Sequence, residues 1–184
     1  MKPTDVLIKE HDAIQTMLKI TEAVCNRLES QESVIPEHLQ QIVEFIQVFA
    51  DRCHHGKEED LLFKALEAVG VPKDGGPIGV MLSEHDLGRN YVKKMSEAAT
   101  AYSKGNREAT KQFIDNARNY VILLSQHIYK ENNVLFPLAD RLLPQETQDK
   151  LVEQFEVVER EKIGAGKHEQ LHKIMDELKK IYLK

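Results

Sequence analysis

The segment HHGKEEDLLF at residues 54–63 returns 73 residues later as HIYKENNVLF at 127–136. In each copy a histidine stands four residues before a glutamate: His54 with Glu58, and His127 with Glu131. Positions i and i+4 share one face of an α-helix. Each copy therefore offers an imidazole and a carboxylate on the same side of one helix. The repetition points to two helical units of one design.

A second repeat lies further out. KEHD at 9–12 matches SEHD at 83–86, 74 residues on, which adds His11 and His85. Apolar residues recur at steps of three and four around all four histidines. The pattern predicts a first helix over 4–28, with Leu7, His11, Ile14, Leu18, Thr21, Cys25 and Leu28 on its inner seam. A second is predicted over 36–69, opening on Pro36, with Val43, Ile46, Ala50, His54, Glu58, Leu61 and Ala65 inward. A third covers 78–103, with Met81, His85, Gly88, Val92, Met95, Ala99 and Tyr102 inward and Gly105 as its stop. A fourth covers 107–142, with Phe113, Ala117, Tyr120, Leu124, His127, Glu131, Val134 and Leu138 inward. Pro137 inside that run predicts a kink or an early end. Shorter helices follow over 144–159 and 167–182. Four long helices with short links predict an all-α, antiparallel up-down-up-down four-helix bundle at about 4–142 with extra C-terminal helices at about 144–184, in one domain spanning 1–184.

The hairpin arithmetic sets the level of the histidines. His11 lies about 18 residues, or roughly 27 Å, from the end of the first helix. His54 lies about as far into the second, so an antiparallel hairpin brings the two together. The same holds for His85 and His127. Four imidazoles and two carboxylates then share one buried level. Buried carboxylates among imidazoles call for cations, and this donor set suits iron, manganese or zinc.

Composition narrows the classes of function. The chain has 184 residues, 41% apolar and 30% charged, with a net charge of -5. That balance speaks against a nucleic-acid surface. No apolar run approaches the roughly 20 residues of a membrane helix, and the N-terminus does not read as a secretory signal, so the cytoplasm is the expected compartment. Cys25 and Cys53 form no disulfide framework.

These motifs together resemble the hemerythrin-like family, the HHE cation-binding domains, over roughly residues 5–140. The resemblance rests on EHD, HHxxEE followed by LLF, a second EHD, and HxxxE followed by LFP, in that order. It implies two iron ions, oxo- or hydroxo-bridged, held by His11, His54, Glu58, His85, His127 and Glu131, with manganese or zinc as alternatives. Oxygen-carrying hemerythrins have HxxxH on the third helix and end in HxxxxD. This chain has Arg89 four residues after His85, and HxxxE at 127–131. One iron is then expected to be short of a histidine and more open. That favours reactive, sensing or iron-handling chemistry over reversible oxygen carriage.

The resemblance implies a di-iron protein that meets O2, NO or peroxide, or handles iron in stress response or repair. Two rivals stand beside it: a non-enzymatic oxygen or iron sensor or store that acts through a protein partner, and a structural bundle with zinc or no metal. No nucleophile constellation points to an organic substrate, and the sequence fixes no oligomeric state. His55 and Glu59 are the alternative phase to His54 and Glu58. His168 is a candidate for the position Arg89 leaves. Glu159 and Glu161 read as surface charges of the fifth helix, either of which could orient a ligand. His38 reads as a surface residue, Cys53 as a small buried hydrophobe, and Tyr120 as a core tyrosine that could line a ligand pocket.

Overall fold

The computed structural model describes all residues, 1–184, and consists of six helices joined by turns, with no strand. α1 is Pro3–Glu29. α2 is a continuous rod over 36–68: α-helical at Pro36–Phe45, π-helical at Ile46–His55 and Glu58–Leu62, and α-helical again at Phe63–Ala68. α3 is Pro77–Ser103. α4 covers 109–142 as Ala109–Lys130, a π-helical Glu131–Leu135 and Phe136–Leu142. α5 covers 145–163 as Gln145–Val157 and a π-helical Val158–Ile163, and α6 is Lys167–Tyr182.

Local chemistry sets the ends. Pro3, Pro36 and Pro77 stand in first turns, where a missing N–H costs no helical hydrogen bond. Gly70 and Gly105 close α2 and α3 at φ +96° and +87°. Behind them the N–H groups of Val71 and Asn106 reach back to the carbonyls of Leu66 and Ala101, at 3.0 and 3.1 Å. Left-handed residues at this position let the last carbonyls find donors.

The π segments correct two expected seams. Leu61, Ala65, Val134 and Leu138 were the expected inward residues beyond the glutamates. Leu62, Leu66, Leu135, Phe136 and Ala139 are buried instead, and Val134 is 55% exposed. Each π turn spends one extra residue per turn, so the inner face slips by one position after Glu58 and after Glu131. The same device carries α4 past Pro137. A proline ring clashes with the carbonyl four residues back in a regular helix, and the wider turn at Glu131–Leu135 precedes it, so the helix continues to Leu142 without the early end.

α4 runs antiparallel to both α1 and α3. At the α1–α4 contact, Lys2 bonds Asp140 at 2.8 Å while Arg118 bonds Glu22 at 3.1 Å. Between α3 and α4, Glu84 meets Lys130 near one end, and the Arg107 guanidinium lies 4.9 Å from the Tyr102 ring at the other. Two apolar cores form. One runs from Ala13 through Phe49, Met95 and Phe113; the other gathers Leu7, Phe63, Met81, Phe136 and Phe155. The histidines and glutamates of the two repeats occupy the level between them. α5 adds Leu151 and Phe155 to the second core, and α6 adds Leu171, Met175 and Leu178 to the first. His38 is not a free surface residue: it is half-buried, with Nδ1 2.6 Å from the Tyr182 hydroxyl, because α6 packs over the start of α2.

Candidate metal centre

The two adjacent histidines of HHGKEE both turn inward; His54 is 1% exposed and His55 4%. Successive side chains of an α-helix stand about 100° apart. The π-helical Ile46–His55 segment widens the turn and lets both rings face the core. The result is one buried cluster with two overlapping groups of donors. His11, His54, Glu58 and Glu131 form the first, and His55, Glu58, His85 and His127 the second.

Each glutamate spans both halves. Glu58 Oε1 lies 3.4 Å from His54 Nε2 and Oε2 lies 3.4 Å from His85 Nε2. Glu131 Oε1 lies 3.0 Å from His127 Nε2 and Oε2 lies 3.1 Å from His11 Nε2. His85 Nε2 and His127 Nε2 face each other at 3.0 Å. Imidazole–metal bonds run about 2.1 Å, so two nitrogens bound at a right angle lie ~3.0 Å apart. The Nε2 atoms of His11, His54 and His55 and all four oxygens of Glu58 and Glu131 are buried without a hydrogen bond, the 3.0–3.4 Å approaches lacking the angle for one. Each such atom costs about 1–3 kcal/mol unless something compensates it. Nitrogen and oxygen donors without a thiolate fit iron, manganese or zinc.

The outward nitrogens are all satisfied. Nδ1 of His11 pairs with Asn132 Oδ1 at 2.8 Å, that of His54 with Glu10 at 2.9 Å, and that of His127 with Glu84 at 2.8 Å. His55 Nδ1 is 3.3 Å from Asp51, and His85 Nδ1 is 2.6 Å from Glu59. Oxygen acceptors at Nδ1 hold one proton there, so a ring that carries only that proton presents its Nε2 lone pair inward. Such partners fix the rotation and basicity of a ligating imidazole.

This outer layer repeats as the sequence does. The glutamate of each EHD serves the histidine of the next helix: Glu10 holds His54 and Glu84 holds His127. Each glutamate also takes a lysine, Lys57 on Glu10 and Lys130 on Glu84. His55 breaks the symmetry, since Ile128 stands at its repeat position. Arg89 belongs to the same side. It bonds Asp51 at 3.0 Å and Glu59 at 2.8 Å, the carboxylates behind His55 and His85. Arg89 thus braces the carboxylates behind His55 and His85, and the fifth inward imidazole, His55, comes from α2. His168 is not in the cluster; its ring packs 4.8 Å from Phe49 and 4.8 Å from His172. Glu59 also stays outside, as the partner of His85. Glu161 is exposed, but Glu159 is more than a surface charge, because it bonds Lys57 at 2.5 Å.

Charge and burial pull the titrating groups apart. Burial alone would push the His54 imidazole down, but the nearby charge of Glu58 and the hydrogen bond that its ring N–H donates to Glu10 lift it to about 10. His127 rises against its own burial to about 9 through Glu131 and Glu84. Burial and the neighbouring His85 hold His55 well below the usual imidazole range. Burial opposes the Glu58 charge, yet His54 and His85 hold its carboxyl well below the usual carboxylate range. Burial raises the Cys53 thiol to about 12, which makes it an inert core residue. Asp51 falls to about 2 despite burial, through His55 and Arg89.

A pH dependence follows. With protons rather than a cation between the donors, His54 and His127 contribute stability that is complete below their unfolded value of about 6.5 and is lost as pH rises through 9 and 10. A cation must displace those protons. Cation affinity is therefore expected to rise with pH from about 6.5 to about 9, by up to ~100-fold per unit for two protons. Titrating ferrous ion into weakly buffered protein at pH 7.5 is expected to release about two protons per chain from His54 and His127, plus any that the raised His85 imidazole carries. Binding that releases none would contradict the protonation of His54 and His127.

The model of the hemerythrin HHE cation binding domain family matches residues 2–139. An uncharacterized protein of Mycobacterium tuberculosis, Rv1995, is 26% identical over 172 residues, 92% of this chain and 66% of the relative. The iron-sulfur cluster repair protein YtfE of Yersinia pestis (strain Pestoides F) is 33% identical over 91 residues, 48% of this chain and 41% of the relative. The chain spans less than two thirds of the length of these relatives. No solved structure matches.

Proposed function

From the chain's membership of the hemerythrin HHE cation-binding family, we propose that it holds two iron ions between Glu58 and Glu131 and handles iron or a small ligand there. His11 and His54 would serve one ion, and His55, His85 and His127 the other. The observation that carries this reading is the pattern of satisfaction: the outward nitrogens of all five imidazoles are bonded, while most of the inward nitrogens and all four glutamate oxygens are not. The antiparallel α1–α4 and α3–α4 contacts support an up-down-up-down bundle, with residues 1–184 as one unit. No helix is long and apolar enough to cross a membrane.

Iron supplies a ferrous–ferric couple and affinity for O2, NO or peroxide when bound. The chain's own residues set its surroundings. Glu10, Asp51, Glu59, Glu84 and Asn132 orient the imidazoles, and the two apolar cores on either side keep bulk water out. The name of YtfE favours the repair and iron-handling side of this reading. A non-enzymatic sensor or store is favoured by a different observation: Glu159 on α5 reaches the cluster through Lys57, Glu10 and His54. Turnover of peroxide or NO separates the two.

The first test is metal analysis of untagged protein after anaerobic reconstitution with ferrous ion, where about two irons per chain are expected. His55→Leu is expected to weaken one of them at least ~10-fold in a chelator competition, while His168→Leu retains both. One zinc or no metal in the wild type would overturn the reading. Equal iron retention by both variants would remove His55 from it.

A further inference from the structure

A cavity of about 250 Å³ lies between α2, α3 and α4, and its inner wall is the His55–His85 side of the cluster. Gln47, Lys93, Ser96 and Glu97 form the outer part; all are exposed except Ser96, which is half-buried. Gly88 and Tyr120 line the buried part. A Cβ at Gly88 would sit 3.4 Å from Tyr120 Cε2, at van der Waals contact, so a methyl fits there and takes up space beside that ring. A water claims about 30 Å³, so a diatomic or peroxide-sized molecule fits with several waters around it.

Tyr120 is the unexplained residue in this wall. It is 2% exposed, and burial and the Asp51 charge push its phenol up, with no hydrogen bond acting on it. Its ring lines the cavity, so its O–H, which no protein group accepts, is free to donate into that space. The other face of the bundle differs. The cavity between α1 and α4 is lined by Gln15, Leu18, Lys19, Glu22, Val121 and Ser125, and touches no cluster residue.

We propose that the α2–α3–α4 cavity is the entry chamber through which a small oxygen or nitrogen ligand reaches the cluster, from the His55 side, and that the Tyr120 hydroxyl donates a hydrogen bond to it there. The proposal rests on the ligand-binding reading above. The chamber sets the rate of arrival, and the phenol sets how long the ligand stays.

The test is stopped-flow azide binding to iron-loaded protein, followed by the optical spectrum, with iron content measured on the same samples. Ser96→Phe places a ring in the outer chamber and is expected to slow association and dissociation alike, about tenfold, leaving Kd unchanged. Should that ring prevent folding, Gly88→Ala narrows the inner chamber and is expected to slow both rates about twofold. Tyr120→Phe keeps the shape, and is expected to raise Kd about fivefold through dissociation alone, the effect of one hydrogen bond. Wild-type rates in the narrowed variants at full iron content would overturn the route. An unchanged dissociation rate in Tyr120→Phe would overturn the donor. Wild-type protein that carries two irons and gives no azide response would sink the ligand-binding reading itself, before any variant is compared.

Discussion

Glu58→Gln is expected to strip the centre of both ions, with affinity falling at least ~100-fold. Glu58 belongs to both groups of donors, with one oxygen toward His54 and the other toward His85. Glutamine keeps the volume but removes the negative charge and turns one end into a donor, which faces a cation badly. The neighbouring Glu59→Gln is the control. Glu59 touches only His85 Nδ1 and Arg89, from outside the cluster, so its loss is expected to cost about tenfold. Circular dichroism checks that both variants keep their helices, and mass spectrometry counts the metal. Two ions retained by Glu58→Gln would remove the shared carboxylate from the site.

Lys57→Met is expected to lower stability by about 3–5 kcal/mol, while Lys130→Met costs about 1 kcal/mol or less. The two lysines hold equivalent glutamates in the two repeats, yet their surroundings differ. Lys57 is 0% exposed and sits between Glu10 and Glu159, with Phe155 5.7 Å away. Removing it leaves the buried Glu10 carboxylate with His54 as its single cationic partner and strips Glu159 of its own. Lys130 is 39% exposed, so water replaces it at Glu84. In melting experiments the gap is on the order of 10 °C for a chain of this size. Equal shifts would mean that α5 does not seal the Lys57 side as the structure has it. The first change also bears on the cluster, since Glu10 fixes His54; the second touches His127 through Glu84 in the same way.

The sequence carried much of this arrangement. The helical period placed all seven seam residues of α1 and all seven of α3, each of them buried. The repeat placed His11, His54, Glu58, His85, His127 and Glu131 at one level, because an i+4 pair and a hairpin length are local quantities. The repeat also held a signal that single motifs hide. Lys57 with Glu58 recurs as Lys130 with Glu131, and a glutamate precedes the histidine in both EHD motifs. Those four flanking residues turned out to be the two outer clamps.

Only the tertiary structure decided the rest. A periodic reading must choose between His54 and His55, because it assumes one turn length throughout. The π turns break that assumption, bring both histidines inward and move Leu62 and Leu135 into the positions expected of Leu61 and Val134. Which carboxylate holds which imidazole was equally hidden. Glu10 adjoins His11 in the chain but bonds His54, 44 residues away, and Lys57 meets Glu159 across 102 residues. Sequence periodicity determines which face of a helix turns inward. Which groups meet there depends on how the faces are stacked, and in this protein that stacking decided the fifth histidine, the role of Arg89 and the chamber beside Tyr120.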